Sequence, residues 1–116
     1  MSERTITDFL KDILENIHNA VEFIGTMTFE QFVDDKRTAF AVVRCLEIIG
    51  EATKNIPHEI RSSSPDIPWK EFAGMRDRII HGYWGVDYRI VWGTVKEDLE
   101  AVVKPLQHVI AKTENQ

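Results

Sequence analysis

A chain of 116 residues, with 43% apolar and 28% charged side chains, has the size and composition expected of one globular domain spanning residues 1–116. Its net charge of −5 argues against broad, non-specific binding to nucleic acid. No apolar run reaches the roughly 18 residues that a membrane-spanning helix needs, and the N-terminal residues lack the layout of a signal peptide, so we expect a cytoplasmic location and no membrane partner.

The first segment of the chain has the periodicity of an amphipathic helix. Apolar residues recur every three or four positions from Ile6 to Ile24. Thr5 or Thr7 can cap the start of this helix, and Gly25 can cap its end. A short linking segment, residues 26–33, is expected to follow.

A second long helix is expected after this link. Asp34 or Asp35 can cap its start, and it should extend to about Asn55. Gly50 lies inside it, although glycine costs about 1 kcal/mol relative to alanine in a helix. We therefore interpret Gly50 as a point where another helix comes close.

The second half of the chain predicts two further helices. Residues 62–68, with the sequence Ser-Ser-Ser-Pro-Asp-Ile-Pro, form the clearest loop. A third helix should run from about Trp69 to Ile80, and a fourth from near Asp87 to about Lys112. Pro105 removes a backbone donor inside the fourth helix and should kink it near Ala101. An all-α, up-down bundle of about four main helices is the expected fold.

The most informative stretch is Arg76-Asp77-Arg78-Ile79-Ile80-His81-Gly82-Tyr83, here called the signature segment. Arginine binds phosphate in a bidentate fork, histidine can take or give a proton, and tyrosine carries a modifiable hydroxyl. Positions five apart in an undisturbed helix lie about 140° apart around its axis. We expect Gly82 to end the helix in a left-handed cap, so that His81, at or just beyond the last helical residue, can turn toward Arg76.

Two simpler interpretations of these residues stay open. Arg76 and Arg78 can be solvated surface charges, with His81 a polar cap favoured by the helix dipole. Glu51 can be a solvated acid; alternatively, because it follows Gly50, it can pair with Arg76 or Arg78 and hold the guanidinium in place.

The signature segment resembles the motif of HEPN-domain proteins, in particular the HepT-like toxins of bacterial and archaeal toxin–antitoxin pairs. The resemblance also includes the stretch from Arg44 through Glu47-Ile48-Ile49-Gly50-Glu51-Ala52, the Pro68-Trp69 pair, and the long first and last helices. It covers most of the chain, and the signature segment is its most specific part.

The resemblance implies a homodimeric, metal-independent endoribonuclease toxin of a type II/VII-like toxin–antitoxin pair. Arg76 and His81 would be catalytic, and Tyr83 would line the cleft and accept AMP from a minimal nucleotidyltransferase that acts as antitoxin. Glu51, Asp77 and Arg78 are expected to support this site. RNA is the expected substrate, and no DNA is expected as a partner.

No cofactor or metal site is expected. The pattern Glu15-Asn16-Ile17-His18 has the spacing used in di-iron bundles, but those sites need a second copy, which the sequence lacks. The alternative function is a catalytically silent helical module that binds a nucleotidyltransferase partner or a nucleotide. The intact set of Arg76, His81 and Tyr83 favours the nuclease, because a silent relative would often have lost one of them.

Overall fold

The computed structural model of the protein describes residues 3–82 and 85–116. Within these residues the chain is helical except for one short hairpin and the connecting loops. The elements are α1 (Ile6–Ile24), α2 (Phe29–Asp34), α3 (Lys36–Thr53), α4 (His58–Ser63), α5 (Trp69–Ala73), α6 (Met75–Ile79), β1 (Ile80–His81), β2 (Gly85–Val86), α7 (Tyr88–Gly93) and α8 (Val103–Glu114). The prediction of an all-α helical bundle is confirmed, and none of the described helices is long and apolar enough to cross a membrane.

The core lies where α1 packs against α3 and α8. The two longest helices contribute several side chains with 0% exposure. They are Leu10, Ile13 and Ile17 from α1 and Leu46 and Ile49 from α3. These positions recur every three or four residues, as the sequence pattern predicts. The burial of this shared apolar stripe holds the long helices together.

Helix α1 starts at a reciprocal cap. The Thr5 hydroxyl accepts a hydrogen bond from the Asp8 backbone N–H at 3.1 Å, and Asp8 Oδ2 accepts one from the Thr5 N–H at 2.9 Å. The hydrogen bond that the Asp8 carboxylate accepts from the Thr5 backbone N–H, together with a smaller contribution from the Thr5 side chain, lowers the pKa of Asp8 below its ordinary value, because it favours the ionised form. The predicted cap at Thr5 is therefore confirmed.

The segment expected to be a plain link forms helix α2. The hydroxyl of Thr28 accepts from the backbone N–H of Gln31, and the Gln31 side chain accepts in return from the Thr28 N–H. Phe32 is 0% exposed and packs against the rings of Tyr88 and Trp92, with centroids 6.1 and 5.6 Å away. The cap at Thr28 and the aromatic packing of Phe32 thus stabilise a helix in the segment that was predicted to be a link.

Gly50 is a point of close helix approach, as the sequence predicts. A Cβ atom built on Gly50 would lie 3.0 Å from the Phe72 carbonyl oxygen and 3.3 Å from Met75 Cβ. The neighbouring Glu51, however, pairs with Lys54 at 3.2 Å on its own helix. Of the two alternatives left open for Glu51, the ion pair with Arg76 or Arg78 is not formed among the described residues, because Glu51 is exposed and a partner three residues away is already within reach.

The predicted third helix is divided and ends early. It breaks at Gly74, between α5 and α6, and α6 ends at Ile79. Phe72, Met75 and Ile79 are buried, as expected for residues on the core face. The prediction that His81 ends this helix or directly follows it is wrong by one residue, because Ile80 is already extended, with φ −115° and ψ 125°.

The predicted fourth helix begins as expected but is not α-helical throughout. Asp87 caps α7 by accepting from the Ile90 N–H at 3.1 Å. The helical path then continues through a π-helical segment, Thr94–Asp98, and a 3₁₀ segment, Glu100–Val102, before α8. The departure from α geometry at Ala101 agrees with the disturbance expected from Pro105, whose missing N–H leaves the Ala101 carbonyl without its helical partner.

Candidate active site

Arg76 lies in the last turn of α6, and His81 lies two residues after that helix ends, in β1. The N–H of Ile80, the residue before His81, donates to the Arg76 carbonyl oxygen and closes the last helical turn. Both side chains are exposed. The structure therefore exposes a permanent cation on the last turn of α6 and an imidazole just beyond the end of that helix.

The hairpin fixes the backbone at His81. Strands β1 and β2 pair antiparallel, with Ile80 opposite Val86 and His81 opposite Gly85. Gly82 has φ +72°, a conformation that side-chain-bearing residues rarely adopt. The positive φ expected at Gly82 is therefore present, but it turns a hairpin and does not cap a helix.

Gly85 has a role that the sequence did not reveal. A Cβ atom built on it would lie only 2.5 Å from the His81 carbonyl oxygen, so no larger residue fits without moving one of the two strands. The available signal for the hairpin was the pair of glycines Gly82 and Gly85, which two residues separate, since glycine-containing turns are typical of hairpins. We interpret Gly85 as the residue that lets the second strand approach His81.

The base of the hairpin is tied to the core. The N–H of Asp87 donates to the Ile79 carbonyl oxygen at 2.8 Å, and Ile79 is completely buried. Ile80 and Val86, which face each other across the hairpin, are partly buried against the same core. His81 is thus exposed on a support whose ends are held by buried residues and backbone hydrogen bonds.

The charged residues of the signature segment are accessible. Arg76, Asp77 and Arg78 are all exposed, and no described carboxylate forms an ion pair with either arginine. Arg78 lines a cleft of about 400 Å³ whose other charged lining residues are acidic. They are Asp66, Glu71, Glu97 and Asp98. Arg78 therefore faces a different electrostatic environment from Arg76, which does not line that cleft.

The remaining predicted site residues are not all brought together. Glu51 is on α3 and bound to Lys54, so it is not in contact with the signature arginines. Tyr83 lies outside the described residues. Among residues 3–82 and 85–116, no three His, Cys, Asp or Glu side chains are grouped as metal ligands would be.

Comparison with known proteins places this chain in a family. The model of the "Ribonuclease HepT-like" family matches residues 13–109. A protein of Thermococcus cleftensis named "Probable ribonuclease HepT" is 52% identical over 100 residues, covering 86% of this chain and 91% of the relative. A Methanocaldococcus jannaschii protein named "Putative RNase" is 47% identical over 114 residues, covering 98% and 94%. No solved structure gave a significant match. The matched region contains the whole signature segment, and the chain belongs to the HepT-like ribonuclease family.

Proposed function

We propose that this protein is a metal-independent endoribonuclease toxin whose catalytic residues are Arg76 and His81. The observation that carries the proposal is the exposure of both side chains, one on the last turn of α6 and the other in β1 directly after it, in a chain whose relatives are named as ribonucleases. Arginine and histidine are sufficient for this chemistry, because RNA brings its own nucleophile, the 2′-hydroxyl.

The reaction replaces one phosphorus–oxygen bond with another. The 2′-oxygen attacks the adjacent phosphate, the bond to the 5′-oxygen of the next nucleotide breaks, and a 2′,3′-cyclic phosphate and a free 5′-hydroxyl result. Neutral His81 accepts the proton of the 2′-hydroxyl, or protonated His81 gives a proton to the departing 5′-oxygen. Arg76 stabilises the negative charge that develops on the non-bridging oxygens.

Cleavage of single-stranded RNA in excess chelator is the direct test of this function. The purified protein should generate fragments that end in a cyclic phosphate, at the same rate with and without the chelator. Mass spectrometry of the fragments identifies the ends. A rate that collapses in chelator and returns with a divalent cation would contradict the mechanism.

The active form is proposed to be a homodimer. One imidazole cannot accept and donate a proton in the same step, whereas a two-fold axis would bring a second His81 and a second Arg76 to one cleft. Light scattering should give twice the mass of the chain at micromolar concentration. A monomer whose specific activity does not fall on dilution would rule out the dimer.

Tyr83 is proposed as the control point, where a nucleotidyltransferase antitoxin attaches AMP. The transfer joins the tyrosine oxygen to the α-phosphorus of ATP and releases pyrophosphate. In sequence, Tyr83 follows His81 by two residues, so the added phosphate would stand near the signature cations and repel the RNA backbone. RNA cleavage should therefore be lost while the helices stay folded.

Peptide mass spectrometry checks this proposal after incubation of the protein with a minimal nucleotidyltransferase and ATP. The mass of AMP should appear on the peptide that contains Tyr83 and should be absent from a Tyr83→Phe variant. Tyr88, the other tyrosine of the chain, is the internal control. A modified protein that still cuts RNA at the unmodified rate would refute the control role.

A further inference from the structure

A second surface, far along the chain from the signature segment, has the features of a phosphate-binding site. The residues of α8 and the loop before α5 line a cavity of about 440 Å³. Lys104, His108 and Lys112 contribute from the helix, Ser63 contributes from the end of α4, and Ser64 contributes from the loop. The cavity is therefore lined by two ammonium groups, an imidazole and two hydroxyls.

The charge of this cavity is unusual for so acidic a chain. The net charge of the protein is −5, yet Asp66 is the one acidic residue among the described lining residues of the cavity. Glu114, the one acid of α8, is paired with Lys11 of α1 at 3.0 Å. Neither Lys104 nor Lys112 forms an ion pair with any described carboxylate. These two cations therefore remain available to an anion from outside the chain.

The spacing of the three side chains indicates what kind of anion fits. Lys104, His108 and Lys112 follow one another at intervals of four residues, so they share one face of α8 and rise by about 6 Å from each to the next. This interval is close to the distance between successive phosphates of a single RNA strand. A linear chain of phosphates can therefore place one phosphate near each side chain.

The neighbouring cleft is unsuitable for the same ligand. Asp66 lines both cavities, but the cleft that contains Arg78 also has Glu71, Glu97 and Asp98 on its walls. Such a wall would repel phosphates. Of these two cavities, the one at α8 is therefore the better suited to an anion.

We propose that Lys104, His108 and Lys112 bind consecutive phosphates of the single-stranded RNA substrate, at a subsite separate from the residues that cleave it. The inference rests on the proposed ribonuclease function, since it assigns the substrate strand as the occupant. The apolar side chains of Pro105 and Val109 on the same wall give the riboses and bases a surface to contact.

The experiment measures binding of wild-type protein to a fluorescent 2′-O-methylated RNA strand by anisotropy. This strand lacks the nucleophile and stays intact whether or not the protein is a ribonuclease. In a Lys104→Gln/Lys112→Gln variant, we expect the affinity to fall about tenfold. The slope of log affinity against log salt should become shallower by about 1.4, since each lost phosphate contact of a single strand contributes about 0.7.

Two further variants separate the site from general charge and from folding. Lys36→Gln/Arg37→Gln removes the same charge from exposed residues at the start of α3, outside the cavity, and should keep the wild-type slope. Lys104→Arg/Lys112→Arg keeps both charges and should keep the affinity. Wild-type affinity and slope in the Lys104→Gln/Lys112→Gln variant would overturn the proposal and leave the cavity to another partner, such as an acidic protein segment.

Competition with tripolyphosphate distinguishes a strand from a free polyphosphate. Tripolyphosphate should displace the strand only weakly, because it lacks the riboses and bases. Equal competition per phosphate group would assign the cavity to a free polyphosphate or nucleotide and overturn the RNA assignment. Cleavage of unmodified RNA by the wild-type protein is measured separately. If the wild type and the Lys104→Gln/Lys112→Gln variant differ in binding as expected but the wild type leaves unmodified RNA intact, the ribonuclease function is refuted. The contact between RNA and α8 would stand in that case.

Discussion

Replacing His81 with alanine is expected to lower the rate of RNA cleavage by about 10² or more, the usual range for loss of a general acid or base. The imidazole is the one titratable group that β1 presents beside Arg76. Alanine in the same strand keeps the backbone pairing with Gly85 but cannot carry a proton. The defect should therefore appear in kcat more than in KM.

His18→Ala is the matched control for this variant. His18 is also exposed, but it lies in the middle of α1. Its loss should leave the cleavage rate nearly unchanged. The free energy of unfolding of both variants should lie within about 0.5 kcal/mol of the wild-type value, as is usual for surface substitutions. Full activity in the His81→Ala protein would defeat the proposed mechanism.

Gly85→Ala is expected to reduce cleavage about 10²-fold, although residue 85 carries no reactive group. The added Cβ would lie 2.5 Å from the His81 carbonyl oxygen, so one strand of the hairpin has to move. A displacement of about 1 Å at a catalytic group is enough to cost about 10²-fold in rate. Because the base of the hairpin is held at Ile79 and Asp87, the bundle itself should remain folded.

Gly93→Ala provides the comparison. Gly93 has helical angles, φ −59° and ψ −41°, and a Cβ built on it meets nothing within 4 Å. Alanine there should leave cleavage intact and stabilise the protein by up to about 1 kcal/mol, since it is the better helix former. Thermal unfolding and steady-state kinetics on both variants separate a local effect at His81 from a general effect of adding a methyl group. Unaltered kinetics in Gly85→Ala would show that the close approach does not position His81.

The long helices could be predicted because each contains several turns of a regular apolar pattern. The caps at Thr5 and Asp35 were each one of two predicted candidates, since short acceptor side chains satisfy the free N–H groups at helix starts. Helix α2 was missed although Thr28 and Gln31 have the spacing of a reciprocal cap. Its six residues are too few for a periodic pattern to be recognised.

The details of the candidate site were less predictable for a different reason. Each strand of the hairpin is two residues long, which is too short for the alternation of sides to repeat. The ion pair proposed for Glu51 depended on a contact between distant parts of the chain, and a closer partner, Lys54, takes its place. The roles of Arg76, His81 and Tyr83, and the single domain spanning residues 1–116, stay predictions.

The π-helical segment gives the last long helical path a tolerance to changes in chain length. The N–H of Leu99 donates to the carbonyl oxygen of Thr94, five residues earlier, at 3.1 Å. This turn holds one residue more than an α-helical turn, where the bond spans four. A chain shortened by one residue within Thr94–Asp98 can restore ordinary α-helical bonding while Val91 before the segment and Leu106 after it keep their places in the core. The loss of a single residue can thus be absorbed here without changing which face of the last helix meets the rest of the protein.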